Sequence, residues 1–262
     1  MKKKFLHVLF LILLFFLVSD IYAQYHYSLK RFFEDGISLA EAPGKWDNND
    51  FINLALISGS TYALMYADEP VRGFILSDCK SCIESPVAAT LKYWGEPSFN
   101  AALSAFFLIQ GTLAENSENK ELGFLIAQSY LYTGAVTGVL KLSFGRERPK
   151  TGGDAFTYHP FSFRNNDYMS FPSGHTSTSF ALSTVLASRI DSKFLKVIVY
   201  IPALAAGMSR ICQNQHWLSD VFFGAFLGYF IGRHLVERSS GWKSKPAESV
   251  LPRNVVNVKI QF

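Results

Sequence analysis

Lys141-x6-Arg148-Pro149, Pro172-Ser173-Gly174-His175 and Ser209-Arg210-x5-His216-x3-Asp220 follow one another in this order along the chain. Together they supply three strongly basic side chains, two imidazoles, hydroxyls and a carboxylate. A phosphate ester is a dianion at neutral pH. Attacking it requires neutralised charge, an in-line nucleophile and an acid for the leaving oxygen. Arg148 and Arg210 offer forked donors that match phosphate oxygens, and Lys141 adds a point charge.

Each stretch taken singly has a plain structural reading. Basic residues at the end of an apolar helix anchor it to lipid headgroups. Lys141 and Arg148 are two helical turns apart and share a face if the helix continues, with Pro149 stopping it. Pro172-Ser173-Gly174-His175 precedes a helix and reads as a cap. It also presents free N–H groups to an anion, with Gly174 permitting close backbone approach and His175 placed as a proton donor. His216 and Asp220 share a face if helical. A carboxylate beside an imidazole fixes the tautomer and leaves the other nitrogen free to attack.

The elements around these residues are helical. Apolar stretches at Phe51–Ala67, Val71–Tyr93, Phe99–Leu113, Leu122–Leu142, Thr176–Ile190, Phe194–Ile211 and Leu218–Val236 are separated by most of the Gly and Pro. They predict an all-α domain, a bundle of about six core helices. The tail alternates Val256, Val258, Ile260 and Phe262 with polar residues, which is strand periodicity. The predicted organisation is a signal peptide over 1–23, a surface leader over 24–50, the helical domain over 51–240 and the tail over 241–262.

Hydrophobic residues make up 49% and charged residues 18% of the 262-residue chain. That is rich for a soluble domain and lean for a polytopic membrane protein. The net charge of +4 suits anionic substrates or headgroups, and no nucleic-acid-binding module is present. Lys2-Lys3-Lys4, the apolar run Phe5–Val18 and the small Ala23 form a signal-like segment. Cys79 and Cys82 lack the partners of a zinc site and read as inert or as one small staple, and Cys212 reads as packing. His7, His26, His159 and His234 have no catalytic context. The basic groups at Arg189, Lys193 and Lys196 and at Arg233, Arg238, Lys243 and Lys245 fall at helix ends opposite the three motifs. This predicts a site facing outward from the cytoplasm. Spanning by every helix would put Lys141 on the wrong side, so partial insertion is expected. Between Pro149 and Phe171, Phe156, Tyr158, Phe161, Phe163 and Tyr168 with Arg164 suggest a rim for a lipid chain, or a cover over the bundle end.

Together, the three stretches resemble the type-2 phosphatidic acid phosphatase superfamily, which includes bacterial lipid phosphatases, soluble periplasmic acid phosphatases and vanadium haloperoxidases. Its three signature motifs are matched without a gap from Lys141 to Asp220. The resemblance implies a helical bundle in which His216 is the nucleophile and forms a phosphohistidine. Asp220 orients it, and His175 is the general acid. Lys141, Arg148, Ser173, Gly174 and Arg210 bind the phosphate, with no metal and no cofactor. The implied substrate is a lipid phosphate or diphosphate, for example undecaprenyl diphosphate, lipid A or phosphatidylglycerol phosphate. The implied location is the bacterial inner membrane with the site facing the periplasm. The alternatives are a soluble periplasmic acid phosphatase of broad specificity and, more remotely, a vanadium haloperoxidase. The intact catalytic set argues against a non-catalytic scaffold. Residues 24–95 lie outside the resemblance.

Overall fold

The computed structural model describes residues 29–78, 90–162 and 165–239. Their helices are α1 (Leu29–Glu41), α2 (Asn48–Asp78), α3 (Pro97–Leu113), α4 (Ser117–Phe144), α5 (Gly174–Ala187), α6 (Lys193–Ile198), α7 (Ile201–Cys212) and α8 (Leu218–Arg238). Short 3-10 turns occur at Ala42–Lys45, Lys92–Gly95, Pro149–Thr151 and Asn166–Tyr168. The fold is all-α. Among the described residues, β pairing is limited to one isolated bridge between Arg146 and Tyr158. The signal segment 1–23, Cys79, Cys82 and the alternating tail 241–262 lie outside the described residues.

Three element boundaries differ from the sequence expectation. The leader contains α1, whose Asp35 accepts from Arg238 on α8 (2.7 Å) and from Gln128 on α4 (2.9 Å). The stretch Phe51–Ala67 and the first part of the next, up to Asp78, form one helix, because Pro70 lies inside α2 without ending it. The stretch expected as one helix over 194–211 is divided, with Pro202 in the first turn of α7. Proline is pre-organised for that position.

Several helices turn polar or small residues inward and apolar side chains outward. On α2 the buried residues are Asn53, Thr61, Asp68 and Ile75, spaced seven or eight apart on one seam. Phe51, Leu54, Leu56, Tyr62, Tyr66 and Phe74 of the same helix are exposed. On α3 Asn100, Ser104, Leu108 and Gly111 face inward, while Phe106, Ile109 and Leu113 face out. On α7 Ala203, Ala206 and Gly207 are buried and Ile201, Leu204 and Met208 are exposed. Lys193–Cys212 is long and apolar enough to cross a membrane. At the helix ends away from the motifs, Arg189 pairs with Glu121 (3.4 Å) and Arg238 with Asp35 (2.7 Å). Part of the basic clusters expected at the helix ends opposite the motifs is therefore tied into the fold.

α5 is the central helix, buried over nearly its whole length, and it packs most extensively against α8. Leu122, Leu125 and Ile126 of α4, Leu182 and Val185 of α5, and Ile231 and Leu235 of α8 form the apolar core at the end away from the motifs. Gly224, Gly228 and Gly232 let α8 approach the α5 backbone. A Cβ at Gly228 would sit 1.9 Å from the Ser177 carbonyl oxygen. Gly228→Ala is expected to cost about 1–3 kcal/mol by overpacking. Gly59→Ala on α2, where a Cβ meets nothing within 4 Å, is expected to stabilise slightly through helix propensity. Thermal unfolding of both variants checks the pair, and equal melts would contradict the close helix contact.

Candidate active site

The three motifs meet at one end of α4, α5, α7 and α8. The helix carrying Lys141 does not continue to Arg148 as its spacing allowed. α4 ends at Phe144, and Gly145 turns left-handed (φ 61°) with its N–H on the Lys141 carbonyl (2.9 Å). Lys141 therefore reaches the site from the last turn of α4, and Arg148 from the extended segment beyond it. Lys141 Nζ donates to the carbonyls of Met169 (2.5 Å) and Ser170 (3.1 Å). Its Cε lies 3.7 Å from where a Gly174 side chain would begin. Arg148 donates to the Asn166 and Gln215 carbonyls (2.9 and 3.0 Å), and its Nη1 lies 3.3 Å from His216 Nε2.

His216 precedes α8 rather than lying on it. Trp217 is the N-cap, and Asp220 Oδ2 accepts from its N–H (3.0 Å), so the capping turn sets Asp220 beside His216. The Asp220 carboxylate is 3.5 Å from His216 Nδ1. That is at the outer limit of a hydrogen bond, and Nδ1 has no other partner. The carboxylate favours the Nδ1–H tautomer, which leaves the Nε2 lone pair directed toward Arg148. Burial pushes the His216 pKa well below its ordinary value. The Asp220 carboxylate opposes this shift, and the Lys141 and Arg148 charges add to it. The shift favours a neutral imidazole, the form able to act as a nucleophile. Burial also lowers the Arg148 pKa, against the carboxylates of Asp220 and Asp167.

Sequence reading missed the group that holds Asp220. Arg146 is fully buried and donates to Asp220 Oδ1 (2.7 Å), to Asp68 Oδ2 of α2 (2.7 Å), to Ser219 Oγ (2.7 Å) and to the Ala155 carbonyl. Its guanidinium also lies 5.6 Å from the centre of the Trp217 ring. Burial alone would lower the Arg146 pKa, but the carboxylates of Asp220 and Asp68 raise it. Asp68 further accepts from the Ser219 N–H (2.9 Å) and Oγ, and Ser170 Oγ donates to Asp220 Oδ2 (2.5 Å). Asp68 gave one signal in the sequence. It is a carboxylate next to the end of the apolar stretch Phe51–Ala67, where a charge drawn into the bundle needs a partner.

Ser173 is the N-cap of α5. Its N–H donates to the Asp220 carbonyl (3.0 Å), and its hydroxyl accepts from Thr176 (2.8 Å). His175 follows in the first turn, with Nε2 3.1 Å from Glu96 Oε1. Arg210, in the last turn of α7, hydrogen-bonds Gln213 and Ser209, and its charge acts on His175, Glu96 and Arg148. All eight residues singled out from the sequence thus fall at this end of the bundle. His159 stacks on Tyr168, with ring centres 4.0 Å apart, and Cys212 is a half-buried free thiol. In the aromatic loop, Phe161 is exposed, Phe156 packs on Tyr66, and Tyr158 reaches Met65 Sδ (3.5 Å). Phe163 and Arg164 lie outside the described residues. Among the described residues, no group of three or more His, Cys, Asp or Glu is arranged to hold a metal ion.

The sequence pattern of the PAP2 superfamily matches residues 122–242. The lipid A 1-phosphatase of Porphyromonas gingivalis is 30% identical over 155 residues, covering 54% of this chain and 32% of that protein. The probable lipid phosphate phosphatase 4 of Arabidopsis thaliana is 34% identical over 135 residues, covering 40% and 44% respectively. Lipid phosphate phosphatase 2 of the same plant is 30% identical over 194 residues, covering 61% and 66%. The chain thus spans less than half the length of the first two. A solved structure, the transmembrane PAP2-type phosphatidylglycerolphosphate phosphatase of Bacillus subtilis, shares the fold. Its TM-score is 0.52 at 18% identity, over 74% of this chain and 95% of that one.

Proposed function

Because residues 122–242 are a PAP2 superfamily domain, we propose that the chain is a phosphoric ester hydrolase acting on a lipid phosphate or diphosphate through a phosphohistidine. The observation that carries this reading is the placement of His216: buried, with Asp220 beside Nδ1 and the Arg148 guanidinium beside Nε2. Lys141, Arg148 and Arg210, with the Ser173 hydroxyl and the Gly174 N–H, offset the charge of the phosphoryl group. His216 Nε2 attacks phosphorus as the bond to the leaving oxygen breaks, and His175 gives that oxygen a proton. Water then attacks the phosphohistidine, passing its proton to His175, and His216 is released with free phosphate.

The lipid part of the proposal rests on the inverted helices. Polar seams face inward on α2 and α3 and small residues on α7, while Phe, Leu, Ile, Tyr and Met face outward on these helices, the arrangement suited to hydrocarbon rather than water. The site lies at the end of the bundle away from Arg189, Lys193, Arg233 and Arg238. In a bacterial inner membrane the positive-inside rule then turns it to the periplasm.

A substrate panel tests the reading. Purified full-length protein is offered an isoprenyl diphosphate, lipid A, phosphatidylglycerol phosphate and a soluble chromogenic ester. Phosphate release from at least one lipid is expected, at a kcat/KM above that of the soluble ester. Turnover of the soluble ester alone overturns the lipid assignment in favour of a soluble-substrate acid phosphatase.

A further inference from the structure

We propose that Glu96 is the partner carboxylate of His175. It is a positioning residue that favours the charged form of this imidazole for leaving-group protonation and sets the ring to act as a base in the following step. The inference rests on the phosphatase reading above. Glu96 lies outside the three motifs and outside the stretch matched to the superfamily. Its Oε1 stands 3.1 Å from His175 Nε2, and both side chains are about two-thirds or more buried (27% and 31% exposed).

The turn that carries Glu96 is fastened to the helix that carries His175. The Gly95 carbonyl accepts from Thr178 Oγ1 (2.9 Å), and Trp94 Nε1 donates to Ser183 Oγ (3.0 Å). A Cβ on Gly95 would lie 2.3 Å from the His175 carbonyl oxygen, so this approach requires glycine. Asn100 Nδ2 donates to the carbonyls of Trp94 (3.2 Å) and Glu96 (3.0 Å), which ties the turn to α3. Glu96 is itself the N-cap of α3, yet its side chain caps no backbone N–H. The carboxylate stands at the amino-terminal end of α3 and is turned to the imidazole.

The site thus holds two histidine–carboxylate pairs of opposite ring polarity. In His216 the carboxylate faces Nδ1 and leaves Nε2 to react. In His175 the carboxylate faces Nε2 and leaves Nδ1. Burial, together with Arg210 of α7 and Lys141 of α4, disfavours a charged His175, and Glu96 is the anion that opposes them. Tyr130 of α4 lies within electrostatic reach of Glu96. In the first step a bond forms between His216 Nε2 and phosphorus and the bond to the leaving oxygen breaks. That oxygen takes the His175 Nδ1 proton, leaving a neutral ring whose Nε2–H stays on Glu96. In the second step Nδ1 takes a proton from water as the water oxygen bonds to phosphorus and the P–N bond breaks. The imidazolium is restored.

The test compares wild type, Glu96→Gln, Glu96→Asp and His175→Ala as full-length protein on a short-chain phosphatidic acid and on p-nitrophenyl phosphate. The value read is kcat/KM against pH, which reports steps up to departure of the leaving group. Glu96→Gln is expected to move the alkaline limb down by about one pH unit or more, as loss of a neighbouring charge does. It is expected to lower neutral-pH kcat/KM on the alkyl ester by roughly 10–100-fold, within the reach of general acid catalysis. The nitrophenyl ester, whose leaving group needs no proton, is expected to lose about threefold or less. Glu96→Asp should recover part of the alkyl-ester rate, with unchanged melting of both variants. An unmoved limb, or equal losses on both esters, overturns the proposal. A wild type that releases phosphate from neither ester overturns the phosphatase reading itself, and an active wild type with a fully active His175→Ala overturns only the acid assignment.

Discussion

His216→Ala is expected to lower phosphate release by on the order of 10⁴–10⁶-fold, the scale seen when a covalent nucleophile is removed. Two features make the loss this large. The attacking lone pair belongs to Nε2, which faces Arg148 Nη1 at 3.3 Å, and alanine offers no lone pair in its place. The surrounding cations also stay when the imidazole goes, so the variant should still bind phosphate while failing to turn over. The check has two readouts: phosphate release under saturating substrate, and trapping of an acid-labile, base-stable phosphoenzyme after rapid quench. Wild type should yield the phosphoenzyme and His216→Ala none, with far-UV circular dichroism unchanged. Turnover by the variant within tenfold of wild type, or an undiminished phosphoenzyme, sinks the nucleophile assignment.

Arg146→Ala is expected to have the largest effect on stability. The guanidinium is fully buried between two fully buried carboxylates, at 2.7 Å from each. Removing it leaves Asp68 and Asp220 facing each other across a void without a counter-charge. Breaking such a buried arrangement costs about 3–5 kcal/mol, against a total of about 5–15 kcal/mol for a folded domain. In a chain of this size that corresponds to a fall in melting temperature of roughly 10 °C. Arg146→Lys should recover little, because a single ammonium cannot reproduce the forked geometry that reaches Asp68, Asp220, Ser219 and the Ala155 carbonyl together. Activity should fall as well, since Asp220 loses the partner that fixes it beside His216. A melt within about two degrees of wild type would contradict this account.

Much of this site is legible in the sequence because phosphate chemistry draws on few residue types. Lys141, Arg148, His175, Arg210, His216 and Asp220 stand out by type, and their order along the chain makes the set readable. The missed residues have no such local mark. Arg146 sits two positions before Arg148 and looks like one more basic residue of a helix end. Only the left-handed turn at Gly145 separates it from α4 and sends it inward. Glu96 looks like a solvent-facing acid after Trp94-Gly95, and its meaning depends on a contact 79 positions away. The merging of two predicted helices into α2 has a similar cause. A proline normally ends a helix by local sterics, but Pro70 lies between Asp68 and Ile75, both held inside the bundle. Helix type was readable from apolar periodicity. Which face turned inward was not, because in α2 and α3 the polar seam is the buried one.

Asp68 belongs to α2, outside the stretch shared with the superfamily, yet it closes the charge balance beneath the reactive histidine. The amino-terminal half is therefore no interchangeable spacer. A chimera that joined residues 122–242 to a foreign first half would inherit three motifs and a cationic pocket but leave Arg146 with one carboxylate instead of two. Any such exchange has to move the helix and the segment together. A substitution at position 68 is therefore expected to reach Asp220 and His216 through Arg146.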